Sequence, residues 1–71
     1  MTTEFQVGDE IICIGGETTY HVLNIYPVNG EMLYHLYMND GYLHSANLYE
    51  QKWVEKNFVL VSRIGGEEKD D

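Results

Sequence analysis

"TTYHVLNIYPVNGEMLYHLYMNDGYLHSANLY", residues 18–49, decides the fold. β-Branched and aromatic residues crowd positions 18–26, as they do in strands. Pro27 stops that run, and Asn29-Gly30 inside "VNGE" is the strongest short signal for a hairpin turn. "MLYHLYM", residues 32–38, makes another strand. "NDGY" then brings Asp40-Gly41, a second hairpin dipeptide, and "YLHSANLY" returns as a further strand. The periodicity throughout is that of strands.

On the N-terminal side, "EFQVGDEIICI" begins with Phe5 and Val7 and turns at Gly8-Asp9. It then runs apolar from Ile11 to Ile14 and ends at Gly15-Gly16. On the C-terminal side, "EQKWVEKN" suits a short turn of helix, with Trp53 as a cap on the core and Lys52 and Lys56 toward solvent. "FVLVSRI" is a last strand before Gly65-Gly66. The expectation is an all-β fold, a small five-stranded antiparallel barrel with one short helical turn. Residues 1–64 form one domain, and residues 65–71 form a flexible acidic tail.

Two-residue turns set a register in which Ile25 faces Tyr34, Leu23 faces Leu36, Leu36 faces Ser45 and Met38 faces Leu43. Alternation then separates two faces. Leu23, Ile25, Met32, Tyr34, Leu36, Met38 and Leu43 make the core face. Tyr20, Val22, Tyr26, His35, Tyr37, Tyr42, His44 and Leu48 make the other, a tyrosine-rich surface suited to a dimer or partner contact.

Charge is the outlying property. Twelve acids against four bases give a net charge of −8 in 71 residues. Eight acids against three bases leave −5 in residues 1–64, and four against one leave −3 in residues 65–71. Such a field repels nucleic acid and anionic membranes and attracts basic proteins. The single cysteine, Cys13, forms no internal disulfide, which points to a reducing compartment. No run approaches the roughly 18 apolar residues of a membrane helix. "MTTEFQ" lacks the basic and apolar regions of a signal peptide, so the cytoplasm is the expected location.

Phe5, Val7, Gly8 and Asp9, then Tyr20, Val22 and Ile25, then Phe58 and Val61 follow a pattern: an aromatic-x-Val-Gly-Asp start, a Tyr-x-Val-x-x-Ile strand and an aromatic-apolar closing strand. Over residues 5–61 the chain resembles the small SH3-like barrel proteins of bacteriophages. The resemblance implies a five-stranded barrel with Tyr20 and Val22 in its core, which requires a bulge near Asn24. In size and acid excess the chain also resembles acidic phage host-takeover proteins that mimic DNA, in particular inhibitors of the nucleoid protein HU. That resemblance implies a basic DNA-binding partner in the cytoplasm of a host cell.

Catalysis and metal binding find little support. His35 and His44 lie diagonally on one face with His21 on the other, without a nearby Cys or carboxylate, so no metal site is expected. Cys13 sits in an apolar strand, Ser45 and its neighbour His44 point to opposite faces, and no glycine-rich phosphate loop precedes a helix. No enzyme activity and no cofactor are expected.

The acid excess remains. Asp9, Glu10, Glu17, Glu31, Asp40, Glu50 and Glu55 are the candidate partner-binding acids, standing in for phosphates. Tyr20, Tyr26, Tyr37 and Tyr42 are the candidate dimer or aromatic surface. Duplex DNA carries one charge per about 1.7 Å, so eight charges match only about 14 Å and a homodimer's sixteen about 27 Å. A DNA mimic of a dimeric target is therefore expected to be a homodimer. The alternative is an SH3-like adaptor that binds a peptide or RNA polymerase through its aromatics. A structural phage component is a third class, for which the sequence offers no specific feature.

Overall fold

The computed structural model describes residues 2–40 and 43–63, with the backbone alone at residues 39, 40, 43 and 44. Tyr42 and the acidic stretch 65–71 lie outside the described residues. The elements are β1 (Glu10–Cys13), β2 (Thr19–Val28), β3 (Glu31–Asp40), β4 (Leu43–Glu50), α1 (Gln51–Asn57) and β5 (Phe58–Ser62). They form one five-stranded antiparallel sheet in the order β4-β3-β2-β1-β5. The all-β class and the short helix are as expected. The sheet is open: β4 and β5 are its two edges, and α1 carries the chain from one to the other.

The β2–β3 hairpin turns where the sequence says it should. Val28 pairs with Glu31, and Asn29 and Gly30 both adopt positive φ, 52° and 83°. That is the mirror-image turn whose twist matches the strands, and it explains Asn-Gly at these two positions. Ile25 faces Tyr34 as expected.

Beyond that pair the register changes. Leu23 is the extra residue of a bulge, so Leu36 faces Val22 rather than Leu23. The cause is non-local. The Gly8 N–H donates to the Val22 carbonyl (2.9 Å), and the Val22 N–H donates to the Asp9 carbonyl (3.0 Å). The N-terminal turn thus holds Val22 inward. The Asn24 side chain accepts the Ile25 N–H at 2.9 Å and steadies the bulge. Val22 is buried and Leu23 is 44% exposed. Tyr20 also turns inward and meets the Phe58 ring edge-on at 5.3 Å. The bulge that the SH3-like pattern requires near Asn24 is present.

The β3–β4 register differs by two residues from the simple reading. Leu36 faces Asn47 and Met38 faces Ser45, with Asp40 opposite Leu43. A slip of two keeps every side chain on its face, so the inward assignment of Tyr34 and Leu36 survives.

Phe5, Ile11, Val22, Tyr34, Leu36, Val54 and Phe58 form the buried core. Val54 is the buried residue of α1. A seven-residue helix has little intrinsic stability, so packing holds it in place. Trp53 stacks on Tyr49 with ring centres 5.5 Å apart and remains 47% exposed, while Lys52 and Lys56 face solvent.

Candidate functional site

The seven candidate acids separate into two groups. Asp9 and Glu55 are committed inside the fold. Asp9 is 1% exposed. Arg63 Nε and Nη2 donate to its two oxygens at 3.0 and 2.9 Å, and the Gln6 N–H donates to Oδ2 at 2.8 Å. Asp9 therefore ties the N-terminal turn to the chain just beyond β5 and offers no surface charge. The pairing also holds the Arg63 guanidinium more firmly protonated than usual, chiefly through the Asp9 hydrogen bonds.

Glu55 is a junction. Its Oε2 accepts from the Tyr34 hydroxyl, from the Glu4 N–H at 2.8 Å and from the Gln51 amide at 3.1 Å. The Tyr34 oxygen in turn accepts the buried Phe5 N–H at 3.1 Å. Gln51 also donates to the Thr2 carbonyl at 2.9 Å. Burial pushes the Glu55 carboxyl up, but the hydrogen bonds from Glu4, Tyr34 and Gln51 together hold it below its ordinary range. Burial, followed by the hydrogen bond to Glu55, pushes Tyr34 up to about 12. The network docks residues 2–5 onto β3 and α1. Its function is structural, so Glu55 leaves the set of phosphate-like charges.

Glu17, Glu31 and Glu50 are exposed, and Glu10 is partly so. Glu10 opens β1 and accepts from the Ser62 hydroxyl at 3.3 Å. Glu17 lies between β1 and β2. Glu31 opens β3, Glu50 closes β4, and the fold brings these two to one cleft of about 360 Å³ with Gly30, Met32, Gln51 and Lys52. For Asp40 only the backbone is described. Because Asp9 and Arg63 cancel, residues 1–64 keep seven other acids against Lys52 and Lys56, and so the same −5.

The tyrosine set also divides. Tyr26 and Tyr37 stand on the outer face of the sheet, where His35 and Leu48 face each other. The Tyr26 and His35 rings tilt together at 6.1 Å, and the Tyr26 hydroxyl accepts from Asn24 at 3.3 Å. Tyr20 does not belong to this surface, because the bulge turns it toward Phe58. The same bulge brings His21, opposite Tyr37, to the face that carries His35. Among the described residues no group of three or more His, Cys, Asp or Glu is placed to hold a metal ion. No helix among them is long and apolar enough to cross a membrane.

Sequence reasoning missed Tyr34, Glu55 and Arg63 as a structural set. The aromatic-x-Val-Gly-Asp start contains Asp9 but does not reveal a partner 54 residues away. Comparison of the chain with protein-family models, with curated proteins and with solved structures finds no match.

Proposed function

We propose that this chain is an acidic DNA mimic that occupies the DNA-binding surface of a basic host protein, with the nucleoid protein HU as the specific partner. The observation that carries the reading is the distribution of charge. Asp9 cancels Arg63 and Glu55 is tied into the fold, which leaves Glu4, Glu10, Glu17, Glu31, Asp40 and Glu50 against Lys52 and Lys56, a net −4, and Glu31 and Glu50 line one cleft with Lys52. Glu10, Glu17, Glu31 and Glu50, with Asp40, engage lysine and arginine on the partner. The place of action is the host cytoplasm. A gel-shift titration of HU on duplex DNA at low salt tests the reading. DNA should be released as this protein is added, and release should weaken as salt rises. DNA that stays bound in large excess of the protein refutes it.

The outer face that carries Tyr26, Tyr37 and Leu48 favours a second reading, an adaptor that grips a peptide or RNA polymerase through aromatics. Alanine at Tyr26 and Tyr37 then abolishes binding and neutralising the acids does little. Mimicry requires the reverse.

A further inference from the structure

The ten large hydrophobic side chains exposed among the described residues are not evenly spread. Val59, Leu60 and Val61 lie on β5 itself. Ile14 and Trp53 lie at its start: the Ile14 N–H donates to the Asn57 carbonyl at 2.8 Å, and Trp53 meets the Phe58 ring at 5.6 Å. Half of this apolar surface therefore collects at one edge of the sheet.

The backbone there also meets no further strand among the described residues. Bonded and non-bonded pairs alternate along an antiparallel ladder. The Ile14–Asn57 bond sets the phase, and the register runs Cys13↔Phe58, Ile12↔Val59, Ile11↔Leu60. Phe58 and Leu60 thus turn their polar groups away from β1. The Phe58 N–H is taken by the Val54 carbonyl. Leu60 keeps both its N–H and its C=O at the open edge, where no strand follows β5 among the described residues. Such edges are normally blunted by charge, proline or a covering element. Phe58-Val59-Leu60-Val61-Ser62 contains neither charge nor proline, in a chain that is 23% charged.

We infer that β5 is the dimerisation edge, and that its occupant is β5 of a second copy, antiparallel about a two-fold axis at Leu60. Val-Leu-Val reads the same in both directions. The axis lets each Leu60 N–H meet the other Leu60 carbonyl, with each Val59 opposite a Val61. Charge favours self-pairing here, despite the −8 on each copy. The pairing sets the start of one β5, just after Lys52 and Lys56, beside the end of the other, where the Ser62 hydroxyl donates to Glu10. The strand contact alone is small against the roughly 800 Å² per partner of a standard interface. Trp53, which meets the Phe58 ring, adds to it, and the association is weak and concentration-dependent. This replaces the tyrosine face as the dimer contact. It stands whether or not the protein mimics DNA.

Sedimentation equilibrium of the full chain tests it. A monomer–dimer equilibrium is expected, and Leu60→Lys should weaken it more than about tenfold, because two like charges meet at the axis. Leu48→Lys, at a 53% exposed position on the opposite edge strand, should leave it unchanged. In a Cys13→Ser background, Leu60→Cys should cross-link two copies under mild oxidation far more readily than Val59→Cys, since only the axial pair lies at disulfide distance. A strictly monomeric chain, a dimer that survives Leu60→Lys, a dimer lost in Leu48→Lys, or equal cross-linking at positions 59 and 60 overturns the assignment.

Discussion

Replacing Tyr34 with phenylalanine removes one oxygen and keeps the ring. No cavity opens, so the cost comes from hydrogen bonds alone. The Tyr34 hydroxyl makes two of them: it donates to the Glu55 carboxylate and accepts the Phe5 N–H. A bond to a charged group contributes about 1.5–3 kcal/mol, and a buried N–H left without an acceptor costs about 1–3 kcal/mol. Allowing for partial relaxation, Tyr34→Phe should cost about 3 kcal/mol. A domain of this size holds roughly 4–10 kcal/mol in total, so this is a large part of its stability. The melting temperature should fall by roughly 12–24 °C. Urea unfolding followed by the fluorescence of Trp53, the one tryptophan in the chain, reads the effect directly. Tyr26→Phe is the control, because that hydroxyl is exposed and accepts only a long bond from Asn24. It should change stability by less than about 0.5 kcal/mol. Glu55→Gln combined with Tyr34→Phe should be less damaging than the sum of the two singles, since they share one bond. A Tyr34→Phe cost below about 0.5 kcal/mol, or strict additivity with Glu55→Gln, refutes the network.

The same network predicts the pH response. Tyr34 is neutral when bonded and its pKa is raised to about 12, so its stabilisation is complete below its ordinary value near 10 and is lost as pH rises from about 10 to about 12. Glu55 is lowered from 4.5, so its contribution is present above that value and is lost as pH falls through its folded-state pKa. Denaturation midpoints against pH should show both limbs, each reduced in Tyr34→Phe. Asp9→Ala should cost about 2–3 kcal/mol in urea unfolding, at the lower end for a broken buried pair because Arg63 keeps some access to water. Its displacement of DNA from HU should be unchanged where the variant is folded. Glu31→Lys with Glu50→Lys reverses two exposed charges at one cleft and should weaken HU binding by more than about tenfold at low salt. A binding curve identical to that of the unaltered chain counts against mimicry.

The β2–β3 hairpin was legible because its signal is local, whereas Asp40, read as the first residue of the second turn, is the last paired residue of β3. Asn29-Gly30 demands positive φ at both residues, and few dipeptides accept it. The slip of two in β3–β4 was not legible, because it leaves every side chain on its face and thus leaves the hydrophobic pattern unchanged. The bulge at Leu23 was legible only through the SH3-like pattern. Simple alternation puts Leu23 inside, and the force that reverses it comes from Gly8 and Asp9, more than ten residues earlier. The sorting of the acids was the least legible part. In a chain with twelve acids, Asp9 and Glu55 look like the others until Arg63 and Tyr34 are placed beside them.

That sorting bears on what the remaining charge can do. Acidity alone makes a protein soluble and attractive to any basic surface. Mimicry needs charges held at fixed separations, because phosphates are. A carboxylate that is both fixed and exposed meets the requirement; one that is fixed but buried, like Asp9, does not. Glu31 and Glu50 sit at the ends of paired strands, Glu31 directly after the Asn29-Gly30 turn and Glu50 directly before α1. Their backbones are held by the sheet and by the helix junction. Glu17 has no strand beneath it. Under the proposed mimicry, the specific part of the acidic surface would be the Glu31–Glu50 cleft, which Lys52 also lines, and Glu17 would contribute to long-range attraction. Pairing at β5 would double the number of such clefts, placing one at each end of the joined sheet. A dimeric basic partner presents two equivalent surfaces, and a two-fold axis through Leu60 is the symmetry that lets one assembly meet both.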